Sequence, residues 1–153
     1  MRSPTPLSDL ISMLNSHIAS ERNQAASAIA DYLDHEMIAQ VKYKTLTQDE
    51  YNRLVYALID AVERESDVTA RDSIYFALSN ASIFTFGAQI DWSKLARLLP
   101  NLESEYIEYV ISTLGLSGHA KYRSLIEPYI NSHDASIRET AHEAIQEIDF
   151  RNS

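Results

Sequence analysis

The sequence predicts an all-α chain of about four helical hairpins, and three observations carry that expectation. Glycine and proline are scarce, at three and four of 153 residues. Apolar residues recur three and four positions apart rather than alternating. One stretch, DASIRETAHEAI at residues 134–145, has partners elsewhere in the chain. Only IFTFGAQI, residues 83–90, is apolar and β-branched enough to suggest a strand, and it reads as a loop between helices.

The repeat is anchored on Arg138, which begins the series Arg138, Ala141, Ala144, Ile145. Earlier copies read Arg71, Ile74, Ala77, Leu78 and Arg22, Ala25, Ala28, Ile29; another, Ile107, Val110, Thr113, Leu114, keeps the apolar positions and loses the arginine. These positions form one stripe on a helix, and small side chains in it let a neighbouring helix approach closely. The anchors are 49, 36 and 31 residues apart. The long first interval, around HEMIAQVKYKTL, leaves room for an extra helix.

Each of these second, or B, helices follows an amphipathic first, or A, helix and a polar break. The A segments are LSDLISML, TQDEYNRLVYALIDAVER, DWSKLARLL and KYRSLIEPYI; the breaks are NSHIAS, ESD, PNLES and NSHDAS. Thr5 with Pro6 in the first helical position starts the first, and Thr47 with Glu50 forms a capping box at the second. Pro100 ends the third, because a proline cannot continue the helical ladder.

An A helix, a turn, then Asp-x-x-apolar-Arg-x-x-Ala-x-x-Ala-Leu resembles the HEAT repeat, and DASIRETAHEAI matches it almost position for position. Asp67 and Arg71 repeat the spacing, Glu103 stands for the acid in the third copy, and Ile18 breaks it in the first. Pro128 in LIEPYI resembles the proline that bends HEAT A helices, and Gly115 or Gly118 the glycine end of a HEAT B helix, with positive φ. The resemblance covers residues 5–148 and implies a short right-handed α-solenoid forming a single domain over 1–153. It also implies that Asp67 with Arg71, and Asp134 with Arg138, cap B helices and tie successive repeats together.

Composition bounds the chemistry. With 22 acidic and 13 basic residues the net charge is −9, which disfavours nucleic acid and anionic membranes and favours a basic protein. Cysteine is absent, so thiolate chemistry and disulfides are excluded. No signal peptide or roughly 18-residue apolar run occurs, and the expectation is a cytoplasmic protein. His17, His35, His119, His133 and His142 show no spacing that pairs two imidazoles on one helical face, and no serine sits in a Gly-x-Ser-x-Gly elbow. The expectation is therefore no catalytic residue, no metal and no cofactor. Close carboxylate pairs are expected by chance in so acidic a chain.

In a stacked solenoid the B helices line the concave wall, the usual binding surface. Projection opposite the apolar stripe selects Asp72, Tyr75 and Phe76; Glu105, Glu108, Tyr109 and Ser112; and Glu139, His142 and Glu143. This acidic surface with aromatic insets suits a basic partner, steered by carboxylates and anchored by aromatic rings. Glu108→Lys is expected to weaken that partner without changing stability. Size, charge and repeat type resemble the immunity proteins of bacterial polymorphic toxin and contact-dependent growth inhibition systems. That resemblance implies a cytosolic inhibitor of a basic toxin domain, often a nuclease. A scaffold or adaptor is the alternative; a HEAT-like lyase or DNA glycosylase fits less well, since the sequence shows neither a chromophore site nor a cationic face.

Overall fold

Eight α-helices form within residues 6–39, 47–82 and 89–153, the part that the computed structural model describes. No strand occurs among these residues, and none of their helices is long and apolar enough to cross a membrane. The chain packs as two compact units, Met1–Ala81 and Ser82–Ser153.

The first unit contains α1 (Leu7–Leu14), α2 (Ala19–Ala39), α3 (Gln48–Arg64) and α4 (Val68–Ser82). Helix α3 shows why these residues choose helix. Thr47 accepts the Glu50 amide at 3.1 Å while the Glu50 carboxylate takes the Thr47 amide at 3.0 Å, which completes the expected capping box. Beyond it, Tyr51, Leu54, Val55, Leu58, Ile59 and Val62 fall on one face and are buried. Each such aliphatic side chain contributes about 1.5–3 kcal/mol on leaving water. The Tyr51 hydroxyl, inside this core, donates to the Ala81 carbonyl at the end of α4, 2.5 Å away, and burial raises its pKa.

Hydrogen bonds join helices of like kind. From α4, Ser73 donates to Asn23 at 2.5 Å and Asn80 to the Ala30 carbonyl at 3.0 Å, both on α2 and both 50 residues away. Arg64 reaches Asn15, which places the end of α3 beside the end of α1, 49 residues earlier. A constant offset along two helices means that they run in the same direction, and the 50-residue offset here is within one residue of the 49-residue interval between Arg22 and Arg71. The sequence period is thus the structural register.

The second unit contains α5 (Ser93–Ala96), α6 (Ser104–Ser117), α7 (Arg123–Ile126) and α8 (Ala135–Arg151), with 3-10 turns at Leu99–Asn101, Ala120–Tyr122 and Glu127–Asn131. Helices α6 and α8 also run in parallel, Glu108 meeting Ser136 and Thr140, and Leu116 meeting Arg151. The Tyr122 hydroxyl accepts the Trp92 amide at 2.8 Å, joining the starts of the third and fourth A segments 30 residues apart. These joints between like segments span 28 to 35 residues, close to the 31-residue interval from Ile107 to Arg138. The fold is all-α and helical-repeat-like.

Several sequence expectations need correction. The third and fourth A segments are not continuous helices. Pro100 lacks an N–H and crowds the carbonyl four residues back, that of Ala96, where α5 stops. Pro128 likewise heads a 3-10 turn after α7. Pro6 precedes α1 with extended ψ (145°) instead of opening the helix, and Thr5 lies outside the described residues. Helix α2 continues through HEMIA to Ala39, while residues 40–46 and 83–88 lie outside the described part. Of the two candidate glycines only Gly118 has positive φ, 74°; Gly115 is helical, and a Cβ there would lie 2.7 Å from Ala144 Cα and Cβ. Its lack of a side chain lets α6 and α8 touch.

Candidate functional site

The recurring arginines turn out to fasten the turns before their own helices. Arg22 donates to the Ser16 carbonyl at 2.9 Å, Arg71 to the Ser66 carbonyl at 3.3 Å and Arg138 to the Ser132 carbonyl at 2.8 Å. A second bond repeats with them. Side-chain oxygens of Ser16, Glu65 and Ser132, each six residues before its arginine, accept amides of Ile18, Asp67 and Asp134 at 3.1, 3.2 and 3.1 Å. Asp67 and Asp134 cap α4 and α8 by accepting amides of Ala70, and of Ser136 and Ile137. Each acid and its arginine thus serve the turn.

One arginine also joins two hairpins. Arg22 Nε and Nη2 donate to Glu65 Oε1 and Oε2 at 2.8 and 2.9 Å, a two-pronged pair whose carboxylate side chain is only 3% exposed. The Arg22 hydrogen bonds hold the Glu65 carboxyl below the usual carboxylate range. A cavity of about 280 Å³ beside this pair is lined by residues including Asn15 and His17 of the first turn and Arg64 at the end of α3. Arg22, Glu65 and Arg64 are all engaged in joining the hairpins, so the cavity belongs to the joint.

In the second unit Asp91 accepts the Ser93 amide at 3.0 Å and pairs with Lys121 at 3.5 Å. Hydrogen bonds from Ser93, supported by Lys121, lower its pKa to about 2. Lys121 also lies 5.1 Å from the Tyr122 ring centre, and the His119 ring meets that of Tyr122 edge-on. This cluster braces the loop around Trp92, which is fully buried.

The predicted binding residues separate into two groups. On α4, Asp72 is exposed and Phe76 is 51% exposed, as projected. Tyr75 is a correction, with 2% exposure. It sits three residues before Leu78, about 60° from it around the helix, and so shares the buried side. On α6 and α8, Glu105, Tyr109, Ser112, Glu139, His142 and Glu143 are all exposed, Tyr109 to 37%; Ser112 and Glu143 line one groove between the two helices, whereas His142, about 160° around α8 from Thr140, which bonds to α6, lies on the far side. Glu108 is half-buried between the two helices: its Oε1 accepts from Ser136 Oγ at 2.5 Å and Thr140 Oγ1 at 3.1 Å. It holds the helices together.

The groove between them, of about 280 Å³, is lined by Ser112, Gly115, Leu116, Thr140, Glu143, Ala144 and Glu147. Projection missed Thr140 and Glu147 because they flank the apolar stripe instead of opposing it. The facing small residues, Gly115 and Ala144, were the sequence signal for a close joint here. The surroundings are acidic. Helix α6 contains no lysine or arginine, and the two arginines of α8 donate to backbone carbonyls, Arg138 to Ser132 and Arg151 to Leu116. Among the described residues no group of three or more His, Asp and Glu side chains could hold a metal ion.

No protein-family model matches the chain, and no curated protein matches it. Among solved structures it is similar to a crystal structure of an engineered protein from the Northeast Structural Genomics Consortium, with a TM-score of 0.66 and 14% identity. The match covers 95% of this chain and 63% of that one, so this chain spans less than two thirds of the engineered protein's length. At that identity the likeness shows the fold alone, an all-α one.

Proposed function

We propose that the protein acts by binding a basic protein, and that this partner is a toxin domain, a nuclease with the cationic surface its substrate requires, which the chain neutralises as an immunity protein. The observation that carries the reading is the exposure of Tyr109 and Glu105 on α6 and of Glu139 and Glu143 on α8, two helices packed in parallel. An aromatic ring supplies anchor area on losing water, and surrounding carboxylates steer and orient a cationic surface. Occupying the surface that a nuclease uses for phosphate would block it without any chemistry by the inhibitor. Within the first unit, exposed Phe76 on α4, one turn from Asp72, is a separate candidate anchor of the same chemical kind.

The test starts from the gene's neighbourhood. The reading expects a large reading frame directly upstream that ends in a basic domain, and expects that domain to co-purify with this chain. Salt should slow association markedly, because screening shortens the reach of the acidic face to about 8 Å at physiological ionic strength. Absence of such a frame, or a basic domain that does not bind, would refute the immunity assignment and favour an adaptor.

A further inference from the structure

The groove between α6 and α8 already engages one guanidinium, the chain's own. Arg151 donates from Nε to Glu147 Oε1 at 2.9 Å and from Nη1 to the Leu116 carbonyl at 2.6 Å, and Glu147 and Leu116 are both groove residues. We propose that the remainder of the groove is a seat for an arginine side chain presented by a basic protein partner. This rests on the protein-binding reading and gives it a specific contact.

The lining supplies each part that such a side chain needs. Leu116 and Ala144 offer apolar surface for the methylene stem, and Gly115, having no side chain, lets Ala144 close the floor of the groove against α6. Glu143, one helical turn before Glu147, is exposed at the rim and brings a second carboxylate. Thr140 Oγ1 donates to Glu108, which leaves its lone pairs to accept from an incoming N–H. Arginine suits this seat better than lysine because its planar fork reaches two acceptors at once, as Arg151 does with a carboxylate and a carbonyl; an ammonium is a compact, strongly hydrated point charge. Arg151 itself occupies part of the acceptor capacity of Glu147, so it competes with the incoming group.

The probe is N-acetyl-arginine methylamide, titrated into the 15N-labelled full chain. The seat predicts saturable shifts at the Gly115, Leu116, Thr140 and Ala144 amides, and weaker binding by the corresponding lysine amide. Glu143→Gln should weaken the arginine amide by about five-fold, the size of one exposed charge-assisted contact, and Arg151→Ala should tighten it. Because Glu143 is exposed, its variant should retain the wild-type spectrum elsewhere. Equal binding to Glu143→Gln, shifts confined to other residues, or equal affinity for lysine would overturn the proposal. Failure of the two readings is distinguishable. A basic domain that binds wild type and Glu143→Gln equally would overturn the seat while leaving protein binding intact. Failure of that domain to bind wild type would refute the immunity reading, with the seat judged by the arginine titration.

Discussion

Glu108 and Glu143 are both acids on the predicted wall, yet they are expected to respond differently to substitution. Glu108 accepts two hydroxyl hydrogen bonds from α8, so Glu108→Lys should destabilise the fold by about 1–2 kcal/mol in urea titration, an estimate based on the loss of hydrogen bonds to a charged acceptor. Glu143→Lys should leave stability within about 0.5 kcal/mol. An unchanged urea midpoint for Glu108→Lys would contradict its joining role. Glu65 sets the acid response of the first unit. Hydrogen bonds from Arg22 lower its folded pKa, so its stabilisation is complete well above the unfolded glutamate value of about 4.3. That stabilisation is lost as pH falls through the lower folded value. Glu65→Gln should therefore flatten the decline in stability below about pH 5, measured by urea midpoints across a pH series; an unchanged slope would contradict the linkage. The sequence revealed the Arg22 anchor but not its partner 43 residues away, because periodicity within a helix carries no information about cross-hairpin pairing. Tyr75 was misplaced for a related reason: a projection gives an angle, while the width of the buried band depends on the neighbours.

Among the elements, the B helices were legible and two A helices only partly. Arginine and small residues recur in phase on α2, α4 and α8, and the hydrogen-bond joints keep offsets close to the sequence intervals. The third and fourth A segments carry helical spacing but are divided into short helices and 3-10 turns, where Pro100 and Pro128 interrupt the ladder. The α6–α8 joint gives a direct test of helix approach. Gly115→Ala would put a methyl 2.7 Å from Ala144 backbone and side chain, and should cost about 1–3 kcal/mol as the helices separate. Gly118→Ala should cost about 1–2 kcal/mol through its positive φ. Both are read as shifts in urea midpoint. Wild-type stability in Gly115→Ala would contradict the close approach.

For the molecule as a whole, a net charge of −9 and an acidic helical face with an exposed tyrosine support binding to a cationic protein more directly than they support any chemistry. The sequence made the sign of the charge and the helical faces legible; it did not reveal the groove, which depends on how closely two helices approach. The central claim is that the α6–α8 face holds a basic partner. Its most direct measurement is calorimetric affinity between this chain and the basic domain that the immunity proposal expects to be encoded upstream, for wild type and for the Tyr109→Ala/Glu143→Lys double variant. The account predicts a tight one-to-one complex with wild type, weakened at least ten-fold by the double variant, roughly 1.4 kcal/mol, with helix content unchanged. Equal affinity of the two proteins for that domain would contradict it.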